Sequence, residues 1–155
     1  MSQKNPIRLF VTHAWEESDD HSRLFEYLES ARNFFYRSTG TPDDPPTGGT
    51  DQARDDLRRQ IGMAEVVIAL ASLQPRHPDL LVFQMNHAKS VKKPVILLRP
   101  FGSQLPLPKL LAERADDVVE WEQRGLVDSI RHLARNENTA RYDVIDFSPG
   151  DFKLD

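Results

Sequence analysis

Val66-Val67-Ile68-Ala69-Leu70, followed by Ala71 and Ser72, is the stretch whose reading decides the fold. An unbroken apolar run of this length, rich in β-branched residues and closed by small side chains, describes a strand covered on both faces. Such a strand needs helices above and below it, and the flanking sequence supplies them. Upstream, residues 50–63 put Leu57 and Ile61 on one helical face behind a capping Thr50 or Asp51. Downstream, residues 78–91 begin with Pro78, where a helix tolerates proline, and align Leu81, Met85 and Ala88.

The same alternation continues outward. Ile7-Arg8-Leu9-Phe10-Val11 reads as the first strand and Phe34-Phe35-Tyr36 as the second. Pro94-Val95-Ile96-Leu97-Leu98 is the fourth, with proline at the position a strand accepts. Asp117-Val118-Val119-Glu120-Trp121 is half polar, which places a fifth strand at an edge. Helical spacing fills residues 19–32, behind Ser18 or Asp19 as cap, then a short piece at 108–114, then 123–136. Five strands separated by helices predict a doubly wound, five-stranded parallel α/β sheet flanked by helices. Residues 1–136 form the expected domain. Residues 137–155 are a tail expected to pack on it or extend it, with 142–147 as an added edge strand or a wrap.

Composition narrows the function classes. A chain of 155 residues without cysteine has no thiol nucleophile, thiolate zinc site or disulfide framework. It can bury roughly two-thirds of its unfolded surface, enough for a core without staples. Net charge is −4 with acids and bases interleaved, so the concentrated basic stripe of a nucleic-acid binder is missing. The opening residues lack an export signal, and the longest apolar runs are too short to cross a bilayer. A cytoplasmic protein with no membrane or nucleic-acid partner is the expectation.

In a doubly wound sheet, ligands bind beyond the carboxyl ends of the strands, where strand order reverses. The loops to inspect are therefore residues 12–18, 39–49, 72–79 and 100–107. Thr12-His13-Ala14-Trp15 follows the first strand directly. His13 offers a group that titrates near neutrality and Trp15 a ring to stack on, against the plainer role of packing over the sheet end. Asp43 and Asp44 sit in a Pro-rich loop, where carboxylates bind ribose hydroxyls or are simply solvated. No His or Glu stands at ligand spacing, so no metal is expected. No Walker loop, GxGxxG, HExxH or GxSxG pattern occurs. A receiver domain would need acids after the first strand, an aspartate ending the third and a lysine ending the fourth. The residues there are Thr12-His13-Ala14, Ala71-Ser72 and Arg99.

Arg8-Leu9-Phe10-Val11-Thr12-His13-Ala14-Trp15 followed by Ser18-Asp19-Asp20 resembles the opening of bacterial TIR-like proteins, the subgroup found in Thoeris anti-phage defence. The resemblance runs on through Asn33-Phe34-Phe35-Tyr36, Thr41-Pro42-Asp43-Asp44-Pro45, Leu57-Arg58-Arg59-Gln60-Ile61 and Lys93-Pro94-Val95-Ile96. It closes with Arg99-Pro100-Phe101-Gly102 and residues 115–131, so it spans about residues 6–134.

The resemblance implies a flavodoxin-like sheet and a nicotinamide nucleotide as partner. NAD would be substrate or ligand rather than a resident cofactor. Many such domains cleave the nicotinamide–ribose bond to an ADP-ribose-type signal, and they act through self-association, so a homo-oligomer is implied. Thr12, His13, Trp15, Asp43, Asp44 and Ser72 are the implied nucleotide-binding residues. The family glutamate lies on the third helix, ten positions before the proline of the Lys-Pro strand. Here that position is Gln84, and the family tryptophan is Leu80. Glutamine neither carries charge nor accepts a proton at neutral pH. His87, one turn on, is a candidate substitute base, with a solvated surface histidine as the plain reading; Asp79 is a candidate carboxylate or cap. Two functions follow: an NAD-cleaving enzyme with a non-standard catalytic group at Gln84 and His87, or a catalytically silent nucleotide-binding or interaction module. A ligand-free scaffold is the third reading.

Overall fold

The side chains of β3 (Val66–Leu70) divide the core into two layers. Val66, Ile68 and Leu70 face one cluster, while Val67 and Ala69 face the other, and all five residues are buried. In this computed structural model, which describes residues 1–137, five strands and five α-helices make up the fold around that division, with a 3-10 turn at Ala71–Leu73 directly after β3. They run β1 (Ile7–Val11), α1 (Asp19–Glu29), β2 (Tyr36–Ser38), α2 (Thr50–Gly62), β3, α3 (Pro78–Ser90), β4 (Val95–Leu98), α4 (Lys109–Ala112), β5 (Asp117–Val119) and α5 (Gln123–Arg135). The sheet is parallel throughout, in the order β2-β1-β3-β4-β5. This is the flavodoxin-like, doubly wound arrangement that the sequence predicts, with β5 at an edge.

Leu24 and Leu28 of α1 and Leu126 and Ile130 of α5 cover one face of the sheet. Leu57 and Ile61 of α2, Leu81 and Met85 of α3 and Leu111 of α4 cover the other. Each fully buried Leu or Ile contributes roughly 1.5–3 kcal/mol of transfer free energy. Ser18 caps α1 by accepting from the His21 backbone N–H at 3.2 Å, satisfying a donor the helix itself cannot.

Several boundaries move. β2 starts two residues later than Phe34, because Asn33 adopts a left-handed φ of 55° and Phe34 turns into the core. Pairing then begins with Tyr36 opposite Ile7. β5 ends at Val119, where Trp121 swings back and its Nε1 donates to the Arg99 carbonyl at 2.6 Å. The cap of α2 is Gly49, with no side-chain hydrogen bond, in place of Thr50 or Asp51. Apart from Glu137, the expected tail 137–155 lies outside the described residues. Among the described residues, no helix is long and apolar enough to cross a membrane.

Candidate functional site

Strand order reverses between β1 and β3. From β1 the chain leaves toward the layer shared by α1 and α5, and from β3 toward the layer shared by α2 and α3. The two departing loops diverge and leave a cleft of about 230 Å³ at the strand ends. One wall runs from Thr12 to Ala14 and from Glu16 to His21, and the other is Ser72, Leu73, Arg76 and His77. A second hollow of about 280 Å³ adjoins it, shares Glu16, Glu17, Ser18, Asp19 and His21, and reaches Pro42 and Asp43. The starts of α1 and α3 both border the cleft.

His13 is the hub. It is 3% exposed, and its Nε2 lies 3.1 Å from Gln60 Oε1. The Gln60 amide is oriented by Thr41, whose N–H donates to Oε1 at 3.3 Å and whose Oγ1 accepts from Nε2 at 2.8 Å. With Oε1 as acceptor, His13 Nε2 must donate, so the proton sits on Nε2 and Nδ1 carries a lone pair. Burial pushes the imidazole down to about 4, against the opposing Gln60 hydrogen bond, so the ring is neutral at pH 7. Nδ1 is buried and has no hydrogen-bond partner, and neither has Ser72 Oγ across the cleft. Buried polar atoms are ordinarily satisfied, so two orphans on residues that line one cleft call for an explanation.

Gln84 stands behind this hub rather than in the cleft. It is fully buried. Its Oε1 accepts from the His13 N–H at 3.1 Å, and its Nε2 donates to the His13 carbonyl at 3.0 Å and to the Leu80 carbonyl at 3.1 Å. The amide thus reads both backbone groups of His13 like a short piece of sheet and ties the β1 loop to α3. His87 lies farther along α3, stacked on Phe83 with ring centroids 6.4 Å apart. Burial, then the nearby Arg58, lowers its pKa. It does not line the cleft.

The other expected residues divide. Thr12 lines the cleft and is fully buried, and its Oγ1 accepts from the Leu70 N–H at 3.0 Å, stitching β1 to β3. Trp15 packs against the α2–α3 layer with its ring edge-on to His13 at 5.0 Å. It is not part of the cleft lining, and its φ of 55° is unusual for a bulky residue. Asp43 lines the adjoining hollow. Asp44 is exposed in the turn that its N–H closes onto the Thr41 carbonyl. Asp79 is exposed in the first turn of α3.

Sequence reasoning passed over the charged groups of the cleft. Glu16 Oε1 lies 3.3 Å from Arg76 Nη2, and Glu16 Oε2 lies 3.0 Å from His77 Nε2, bridging the two walls. The His77 contact is within ion-pair distance but lacks hydrogen-bond alignment, so its Nε2 has no hydrogen-bond partner. Asp20 is occupied: Arg23 lies 3.2 Å from Oδ1, and the Phe101 N–H donates to Oδ2 at 3.2 Å. His21, bordering both hollows, is lowered by burial with Asp43 opposing. The signal for Glu16, Arg76 and His77 was available, since all three fall in loops flanking the strand-order reversal. Among the described residues, no group of three or more His, Asp or Glu could hold a metal ion.

Comparison with solved structures places this geometry in a wide fold group. The chain is similar to the 2-deoxyribosyltransferase of the psychrotolerant bacterium Bacillus psychrosaccharolyticus, at TM-score 0.51 and 13% identity over 78% of this chain and 90% of that one. A conserved protein from Enterococcus faecalis V583 matches at TM-score 0.56 and 8% identity, over 83% and 99% of the two chains. The signal receiver domain of a Luxo repressor protein from Vibrio parahaemolyticus matches at 0.50 and 16%, over 93% and 100%. Identities this low establish the shared fold alone. No protein-family model matches the chain, and no curated protein matches it in sequence.

Proposed function

We propose that this chain is a TIR-like domain of bacterial anti-phage immunity that binds NAD in the cleft between the β1 and β3 loops and acts by nucleotide binding. The observation that carries the reading is a cleft at the strand-order reversal whose opposite walls include His13 and Ser72, each with a buried polar atom that has no hydrogen-bond partner. Each unsatisfied group costs about 1–3 kcal/mol, a cost that a ligand group in hydrogen-bonding reach removes. The sequence resemblance supplies the class of ligand, and the structural likeness to a nucleoside-handling transferase agrees with it. The cleft suits one nucleoside half, and the adjoining hollow beside Asp43 gives room for the other. Gln84 supports binding over standard cleavage, because its amide is committed to His13 and the family's carboxylate position on α3 carries no charge. Cytoplasmic location and self-association belong to the same reading and rest on the sequence.

The test is calorimetric titration of the purified protein with NAD, with nicotinamide release followed in the same samples. Saturable binding, weakened tenfold or more in Ser72→Ala and His13→Gln variants that melt as folded proteins, is expected. Wild-type protein that shows no saturable binding would overturn the reading. A second reading, cleavage of the nicotinamide–ribose bond, is favoured by the Glu16 carboxylate at the cleft. Glycosidic cleavage runs through a cationic sugar that carboxylates stabilise. Nicotinamide release by wild type and not by Glu16→Gln would establish it.

A further inference from the structure

A hollow of about 300 Å³ lies between the end of α1 and the start of α5 and shares no residue with the cleft or with the hollow beside Asp43. Its lining brings together three arginines, Arg32, Arg124 and Arg131, against one carboxylate, Asp128. In a chain of net charge −4 this is a local excess of positive charge. Val127, which is buried, and Ala31, which is half-buried, add apolar surface to the same lining. Contacts between the two helices fix the frame. Gln123 Nε2 donates to the Tyr27 carbonyl at 2.9 Å and to Ser30 Oγ at 2.8 Å, tying the start of α5 to the end of α1. Arg131 Nη2 donates to the Asn33 carbonyl at 2.7 Å, and its guanidinium lies 5.7 Å from the centre of the Phe34 ring.

Helix chemistry accounts for Arg32 but not for Arg124. Arg32 follows the C-terminus of α1, where a cation is favoured. Arg124 stands in the first turn of α5, at the positive end of the helix dipole, and that turn holds no acid. The Glu122 carboxylate at the cap is spent on the Arg124 and Gly125 N–H groups, at 2.9 Å each. Guanidinium forks match the oxygens of a phosphate better than a point charge does.

We propose that this hollow binds a free organic phosphate at a site separate from the nucleotide cleft. Arg32, Arg124 and Arg131 take the phosphate oxygens, and Ala31 and Val127 seat the apolar part of the ligand. Asp128 opposes the anion and holds its affinity down. The volume stands at the lower end of small-molecule pockets, which fits a free compound rather than a length of chain. The assignment is independent of whether the cleft takes NAD.

The test is calorimetric titration of the full chain with phenyl phosphate, inorganic phosphate and a phosphotyrosine tripeptide, at about 50 mM salt and again at about 500 mM, where exposed charges are screened. Phenyl phosphate should bind saturably, more tightly than inorganic phosphate and more weakly at high salt. Arg32→Gln/Arg124→Gln, which alters two exposed side chains, should weaken it tenfold or more. Asp128→Asn should tighten it about threefold, an outcome that a merely structural role for Asp128 would not give. Ser72→Ala, in the cleft, should leave it unchanged. Absence of saturable binding by wild type at low salt would overturn the proposal. So would binding that survives in the double arginine variant and is lost in Ser72→Ala, since the anion would then sit in the cleft. Inorganic phosphate bound as tightly as phenyl phosphate would overturn the organic ligand, and a tripeptide bound tenfold more tightly would overturn the free one.

Discussion

Replacing Gln84 with the glutamate of the resembling family should weaken this protein rather than switch on a catalyst. The Gln84 amide is fully buried and meets His13 twice, accepting from its N–H at 3.1 Å and donating to its carbonyl at 3.0 Å. In Gln84→Glu the acceptor survives and the donor is lost. The Leu80 carbonyl can keep the backbone N–H of the same helix turn, but the His13 carbonyl would face a carboxylate. One unsatisfied buried carbonyl costs about 1–3 kcal/mol, and the buried charge adds to it. The variant should be down by about 3–4 kcal/mol at pH 8, a large share of the 5–15 kcal/mol typical of a domain. Protonation restores an O–H donor, and burial raises the carboxyl above its unfolded pKa. The deficit should therefore shrink as pH falls toward 5, the direction expected when the folded state holds the proton more tightly. Gln84→Ala loses both His13 bonds and leaves a void, costing about 3–5 kcal/mol without this pH dependence. Urea unfolding of the three proteins at pH 5 and pH 8 measures all of this. A Gln84→Glu protein as stable as wild type at pH 8 would refute the reasoning, and one that also releases nicotinamide would mean the side chain reaches the cleft.

Two further outcomes are expected. His13 titrates at about 4 in the fold against 6.5 in the unfolded chain, so the unfolded state binds the extra proton between those values. Its contribution is full above pH 6.5 and is lost as pH falls toward 4, by about 3 kcal/mol at most. His13→Gln should flatten that part of the urea-midpoint profile; an unchanged slope would contradict the buried neutral ring. Glu65 is held down to about 2, chiefly by its hydrogen bond from Arg135, whose Nε and Nη2 reach the two carboxylate oxygens at 2.7 and 2.9 Å. That stability is present above the ordinary carboxylate range and lost as pH falls toward 2. Arg135→Met should cost about 2–3 kcal/mol at pH 7 and much less at pH 2.5, read by thermal melting.

The strands that were legible were those whose burial is nearly complete. β3 lies inside both core layers, so its five residues are all apolar, and the pattern left no other reading. β2 was harder to place because it is a three-residue edge strand with exposed Arg37 and Ser38. There the most apolar pair, Phe34-Phe35, precedes the ladder. The location of the cleft followed from the alternation of elements, since topology alone selects the loops after β1 and β3. The role of Gln84 did not follow. Counting along a helix gives a position but not the direction in which an amide is spent, and the deciding contact with His13 spans 71 residues. Glu16, Arg76 and His77 escaped for a related reason: charged loop residues look solvated until the facing loop is known.

The strand order carries a kinetic consequence. Each ladder joins strands adjacent in sequence except β1 with β3, where Thr12 Oγ1 receives the Leu70 N–H across 58 residues. Closing that loop is entropically the most demanding pairing in the sheet, and parallel long-range pairings form late. The cleft straddles this same seam. A β3–β4–β5 intermediate could therefore collapse around its own core while still unable to take up ligand, so that recovery of binding lags recovery of helix signal during refolding. A ligand present during refolding would act on the final docking step and leave the early ones alone.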